Sequence, residues 1–309
     1  MCAVGPSCEG AQIGDGCRMT LTRRRFLSIA AASVALPQAA HAEVWHGHAF
    51  GAEVSITIRG ERAQAQNALA QARAVLLDIE GLFSLFDPNS SLSHLNRKGV
   101  LLAPDPHFLA VMRASDRANY LTNGLFDPSV QHLWQGLAKG HNPAAYFDTI
   151  GWDRVQFDAQ HVALGVGQAL TFNGIAQGYA TDQVSEILIA LGFSDMLVNI
   201  GEHRGIGGPW RLGVQDPEQG LMGSRTLNDG AIATSSPQAT PIGKEGHIVH
   251  TQARPRWSTV SVEAPTATLA DSLSTAMVMA PREQIQEIKR QSDVTRVTLV
   301  DFVGDLITL

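Results

Sequence analysis

Two stretches of this 309-residue chain hold side chains spaced for chemistry. In LADSLSTAM, residues 269–277, Asp271 and Thr275 stand four apart, so on a helix they project from one face, one turn apart. A carboxylate and a hydroxyl so placed suit a hard cation such as Mg²⁺, which takes oxygen ligands and commonly shares them with phosphate. Ser274 offers the next oxygen. The first half of an ordinary solvent-facing helix can carry the same residues, so the pair alone does not decide. In TFNGIAQGYATD, residues 171–182, a short apolar run opens through Asn173 and Gly174 into a helix with a second glycine, Gly178. Glycine beside a helix start lets backbone N–H groups approach a ligand closely, and the helix N-terminus favours an anion. A strand-to-helix turn that needs a flexible residue accounts for the same pattern.

The surrounding elements must position these groups. Residues 52–58 alternate like a half-buried strand, and from 61 to 86 Leu69, Ala72, Leu76, Ile79 and Phe83 recur at helical spacing. Turn chemistry follows at Asp87-Pro88-Asn89-Ser90, and a second helix over 106–121 stops at Asn123-Gly124. GLFDPSVQHLW, 124–134, reads as an aromatic and acidic turn, and 155–172 as a meander. Further on the pattern predicts a helix over 182–191 and strands over 196–200 and 210–214. A loop-rich stretch over 218–256 precedes a strand over 257–264, a helix over 266–280 and a strand over 294–300. Helices and strands mix without a βαβ rhythm, so the expected class is α+β with a mixed sheet and packed helices.

Composition is that of a globular protein, 44% hydrophobic and 17% charged, with a formal net charge of −6. No basic field exists for nucleic acid, so a polyanion partner is not expected. Residues 1–42 read as a twin-arginine export signal. Thr22-Arg23-Arg24-Arg25-Phe26-Leu27 precedes a short apolar run and Ala40-His41-Ala42, a small-x-small cleavage site. Met19, four residues before Arg23, is an alternative start. Cys2, Cys8 and Cys17 all lie upstream of the cleavage site, so the exported chain would carry no disulfide, thiolate or Cys-based metal site. The expected location is the periplasm, with the twin-arginine translocon as a partner during export and residues 43–309 as one domain.

Read together and in order, FSLFDPNSSLSHLN, NGLFDPSV, NGIAQGYATD, LVNIGEHRGIG, WRLGVQDP, IATSS, HIVH and APTATLADSLSTAM resemble the FAD:protein FMN transferases of the ApbE family. The resemblance spans nearly the whole exported chain. It implies an ApbE-like fold with a central flavin cleft, and an enzyme that splits FAD at its pyrophosphate. FMN would pass to a threonine or serine hydroxyl of an acceptor flavoprotein, a membrane or periplasmic redox subunit, with release of AMP. FAD is then the substrate and Mg²⁺ the cofactor. Asp271 and Thr275 match the family's metal-binding residues, Ser274 an adjacent ligand position, and Gly174 a position that completes the site. Phe50, Phe86, Leu125, Phe126, Asp127 and Val249 match flavin or nucleotide contacts, although an Asp-Pro turn explains Asp127 equally well. His247 matches the family's histidine; Asp271 and His247 are the candidates for general base.

The chain departs from the family pattern at several points. Thr171 replaces an acid and Gln177 a lysine beside the pyrophosphate, Gly201-Glu202-His203 replaces Gly-Gly-Asp, and His250-Thr251 replaces Asp-Pro. These departures fit a specialised branch, such as the one serving nitrous oxide reductase maturation. They also leave open a non-catalytic flavin-binding chaperone or an FAD pyrophosphatase yielding FMN and AMP. His203, His247 and His250 lack the spacing of a zinc site.

Overall fold

The structure is a computed structural model that describes residues 42–242 and 246–309. The export signal expected at 1–42 lies outside the described residues except for Ala42, the first residue of β1 (Ala42–Ala49). β1 turns back into β2 (Ala52–Arg59) through Phe50 and Gly51, both at positive φ (51° and 77°), as a two-residue hairpin turn requires. Glu61 caps α1 (Arg62–Phe83), whose buried Ala65, Leu69, Ala72, Leu76, Ile79 and Phe83 form one stripe. α2 (Ser91–Lys98) follows the segment read as turn chemistry, starting at its last residue, the Ser90 cap, and stopping at Gly99 (φ 74°). β3 (Val100–Leu102) and α3 (Pro106–Leu121) follow, the latter capped by Asp105.

The aromatic and acidic turn runs on into α4 (Gln131–Ala138), and the meander contains only β4 (Gln156–Phe157) and β5 (His161–Ala163). α5 (Ala176–Ala190) opens just past Gly174, where the glycine-flanked helix start is expected, and joins without a break to the helix predicted over 182–191. Next come β6 (Met196–Asn199), β7 (His203–Ile206) and β8 (Trp210–Asp216). The stretch expected to be loop holds β9 (Gly220–Leu227) and β10 (Gly230–Ser235). β11 (Thr259–Ala264), α6 (Ala267–Met277), α7 (Arg282–Gln291), β12 (Arg296–Val300) and β13 (Leu306–Thr308) complete the chain.

One eight-stranded sheet organises the molecule, in the order β1-β2-β6-β7-β10-β11-β12-β13. The α+β class holds. Strand directions, expected to be mixed, are antiparallel between all neighbours in this sheet, and among the described residues a parallel pairing occurs only as an isolated bridge between Val130 and Ala169. Two cores flank its middle. One packs α1, α3 and α5 against β2 and β6; the other packs α6 and α7 against β10, β11 and β12. The β8–β9 hairpin contributes a third cluster of Trp210, Leu212 and Leu227 with Ile232. α5 and α6 meet along the seam between the two main cores, where β7 pairs with β10. Among the described residues no helix is long and apolar enough to cross a membrane.

Candidate functional site

The site grows from the contact between α5 and α6. Gly178 has no side chain where the helices touch: a Cβ there would lie 2.4 Å from the Ala267 carbonyl oxygen and 2.7 Å from Asp271 Cβ. The close approach lets the Gly178 amide donate to Oδ2 of Asp271 at 2.9 Å. Asp182, one turn further along α5, fixes the other helix. Its carboxylate accepts from the backbone amides of Ala267 (2.9 Å) and Thr268 (2.8 Å) and from the Thr268 hydroxyl (2.5 Å). These are N–H groups that a helix start leaves unpaired, so α5 supplies part of the cap of α6. Arg204 Nη1 donates to Asp182 at 3.1 Å and Nη2 lies 2.8 Å from Glu186.

Beside Asp271, four oxygen-bearing residues converge. Ser235, the last residue of β10, places its Oγ 2.8 Å from Ser274 Oγ and 3.3 Å from Thr275 Oγ1. Ser274, expected as a ligand, is fully buried, and its hydroxyl also donates to the Asp271 carbonyl at 3.0 Å. This arrangement makes it a brace for the helix turn beneath Thr275. Gly174 lies against Thr275 so closely that a Cβ would sit 2.8 Å from Cγ2 and 2.9 Å from Oγ1. Only a glycine lets backbone reach the threonine hydroxyl this way. Asp271 itself is 3% exposed, and burial pushes its carboxyl up to about 7, against the pull of the Gly178 amide. Glu202 is fully enclosed as well; burial, and then the charge of Asp271, push it well above the carboxylate range.

This donor set fits a hard divalent cation. It offers a carboxylate, hydroxyls and the close-lying backbone of Gly174, with no histidine or cysteine among the residues that converge on Asp271. No group of three or more His, Cys, Asp or Glu residues suited to a metal occurs among the described residues, so a cation here must draw on hydroxyl and carbonyl oxygens. Asp271 and Thr275 would hold it, with Gly174 as the backbone contributor.

The sequence model of the ApbE family matches residues 50–298. The chain belongs to the ApbE family. This ApbE chain is 23% identical to the FAD:protein FMN transferase of Haemophilus influenzae, over 75% of this chain and 78% of that one. Identity to the Vibrio cholerae enzyme of the same name is 24%, over 77% and 80%. Its fold is similar to that of the ApbE protein of Thermotoga maritima, with a TM-score of 0.76, 23% identity and coverage of 86% of this chain and 96% of that one. The flavin transferase ApbE from Vibrio cholerae gives 0.73, 21%, and 87% and 97%.

The remaining expected contacts of this ApbE chain fall into different settings. Phe86 follows α1 and is 87% exposed, so its ring faces are open for stacking. Phe50 is half-buried in the β1–β2 turn, where its amide donates to Glu80 at 2.7 Å. Phe126, by contrast, belongs to the first core, and its backbone is held by Thr122 and Asn119. The ring is thus packing rather than an open flavin contact. Leu125 lines a groove of about 450 Å³ with Ala253, Arg254 and Met279, a groove to which Asp271, Thr275 and Gly174 do not contribute. Asp127 uses Oδ1 to accept from the amide (2.8 Å) and hydroxyl (2.6 Å) of Ser129, the turn role. Thr171 joins the same loop through its amide, which donates to the Pro128 carbonyl at 2.8 Å. The Gln177 amide lies against Gly201.

Val249 is half-exposed while Ile248 enters the second core. His247 is tied by Nδ1 to the Pro237 carbonyl at 3.0 Å, two residues beyond Ser235. Burial lowers its pKa, opposed by the Pro237 and Thr240 carbonyls. His250 bonds the Gly124 carbonyl, and both ring nitrogens of His203 are buried without a partner. Sequence reasoning missed Ser235 and Asp182. Ser235 lay in IATSS, whose small residues carry no periodic signal, and Asp182 looked like an ordinary helix acid. Glu202 registered only as a departure.

Proposed function

We propose that this ApbE chain transfers FMN from FAD to a threonine or serine hydroxyl of an acceptor redox protein in a Mg²⁺-dependent reaction that releases AMP. The convergence of Asp271, Thr275 and Gly174 at the α5–α6 crossing carries the reading, supported by the names of the curated relatives. The acceptor oxygen bonds to the FMN-side phosphorus as the bridging P–O bond breaks, and AMP leaves with the electron pair. A bound Mg²⁺ supplies neutralisation of the pyrophosphate charge. The α5 N-terminus, opening at Ile175, favours the anion beside it. Asp271 is held by Gly178 toward the hydroxyl cluster, and Phe86 offers a ring face to the flavin. His247, kept neutral by burial, takes the proton of the acceptor hydroxyl. The twin-arginine pattern supports export to the periplasm, where the acceptor would be a membrane or periplasmic subunit.

Incubating the purified protein with FAD, Mg²⁺ and an acceptor domain tests the reading. Flavin fluorescence on the denatured acceptor together with AMP is the expected result. Free FMN and AMP would make the protein a pyrophosphatase, and unchanged FAD a flavin-binding chaperone. Asp271→Ala abolishes transfer if the assignment holds.

A further inference from the structure

Glu202 stands in the tight turn between β6 and β7, around Gly201 (φ 93°). Its main chain is held on two sides: the carbonyl accepts from the Ile200 amide at 3.1 Å and from the Thr181 hydroxyl of α5 at 3.2 Å. The side chain is 7% exposed, and Oε2 accepts from the Thr234 amide of β10 at 3.1 Å. Thr234 directly precedes Ser235, whose hydroxyl touches Ser274 and Thr275. The Glu202 carboxylate is thus anchored to β10 one residue before the serine that joins the hydroxyl cluster, and it feels the charge of Asp271 on α6.

Two carboxylates enclosed together need a proton or a cation to offset their charge. Among the described residues neither has a basic side chain within ion-pair distance. Arg204, two residues on, is taken by Asp182 and Glu186. Gln177, against Gly201, is neutral. Among the described residues the Asp271 side chain has a single donor, the Gly178 amide, and that of Glu202 has only the Thr234 amide. Single neutral donors leave most of the acceptor capacity of both groups unspent.

We propose that Glu202 is the second carboxylate of the cation site, so that this chain holds a divalent cation between Glu202 and the Asp271–Thr275 face. The inference rests on the transferase reading of the same site and deepens it. Hard cations gain affinity with ligand charge, so a second carboxylate binds the ion more tightly before any nucleotide arrives.

Mn²⁺ binding to the purified, flavin-free protein, followed by electron paramagnetic resonance and calorimetry, tests it without recourse to activity. Glu202→Gln is nearly isosteric and keeps an oxygen for the Thr234 amide. It is expected to weaken Mn²⁺ binding by about tenfold or more, with an unchanged or higher melting temperature in the absence of cation. Glu202→Asp, which retains the charge, recovers part of the affinity. If Glu202→Gln binds within twofold of wild type while Asp271→Asn does not bind, the proposal is overturned and the transferase reading stands. If both Glu202 variants melt low and bind equally poorly, Glu202 is structural and the proposal also falls. If the wild-type protein binds no Mn²⁺, the proposal and the metal part of the transferase reading fail together.

Discussion

Gly178 and Asp271 are joined twice across the α5–α6 crossing, by an amide-to-carboxylate hydrogen bond of 2.9 Å and by a contact that admits no side chain at 178. The first aims the carboxylate; the second sets the distance at which it is aimed. Gly178 therefore acts on the protein's own acid, not directly on a ligand's phosphate.

Gly178→Ala separates these effects from helix propensity. In an unobstructed helix, alanine for glycine stabilises by about 1 kcal/mol. Here the methyl meets the Ala267 carbonyl, which is backbone and cannot rotate away, and overpacking of this kind costs about 1–3 kcal/mol or more. The clash is expected to win, lowering the melting temperature by several degrees and weakening Mn²⁺ binding. A variant that melts higher than wild type would show that the helices do not pack this closely.

Asp182→Ala is expected to destabilise by about 3 kcal/mol, because it strips acceptors from two α6 amides and leaves Arg204, 11% exposed, with Glu186 alone. As a positioning residue, Asp182 should also affect cation affinity through the placement of α6. Thermal melting and Mn²⁺ titration of the same preparation check both. Lost stability with unchanged Mn²⁺ affinity would confine Asp182 to a structural role.

Much of this architecture was legible in the sequence where a long apolar period existed. α1, α3 and α6 announced themselves by spacing, and Asp271 with Thr275 lies where a turn of helix should put them. The elements that escaped are short or small-sided. α7 buries only Ile285 and Ile288, and β10, the sequence GAIATS, sits mid-sheet with side chains too small for a hydrophobic signal. Ser235 was lost with β10. Phe126 shows the reverse difficulty, since an aromatic in a plausible motif can be core, and only the fold distinguishes its buried ring from the open ring of Phe86. Gly178 was noticed, but its partner is 93 residues away and no local pattern names it.

Phe86→Ala tests the exposed ring. At 87% exposure the side chain contributes little to packing, so stability should stay within about 0.5 kcal/mol of wild type. Loss of an aromatic face against the flavin is worth about 1 kcal/mol, so KM for FAD is expected to rise roughly fivefold with kcat little changed. An unaltered KM would remove Phe86 from the flavin site.

The pH profile of transfer follows from His247. Its pKa is lowered by burial, so the neutral base persists to more acidic pH than an ordinary histidine allows. With Mg²⁺ saturating, which would keep Asp271 ionised, the kcat/KM for transfer should be flat around neutrality and fall only below the usual imidazole range, near 6.5. His247→Asn is expected to reduce the rate about 100-fold or more and abolish that acid limb. A limb that survives in the variant would assign the proton to another group.

His203 carries a separate, purely structural cost. It pairs in register with Ile232, beside the Trp210, Leu212 and Leu227 cluster, and both ring nitrogens lack partners. Burial lowers its pKa from 6.5 to about 4. Between these values the unfolded chain takes up a proton that the folded chain refuses. Stability is therefore lost as pH falls from 6.5 toward 4, by an amount on the order of 3 kcal/mol. Asp271, raised to about 7, works in the opposite direction over much of the same window, so the wild-type curve alone cannot isolate the histidine. His203→Leu does, because it leaves the raised carboxylates of Asp271 and Glu202 in place. It should stabilise by about 1–2 kcal/mol at pH 7 by removing an unpaired buried group, and by more at pH 5. A gain in melting temperature that widens with acidification is the expected signature. A gain that is constant with pH would mean that His203 does not change its protonation on unfolding.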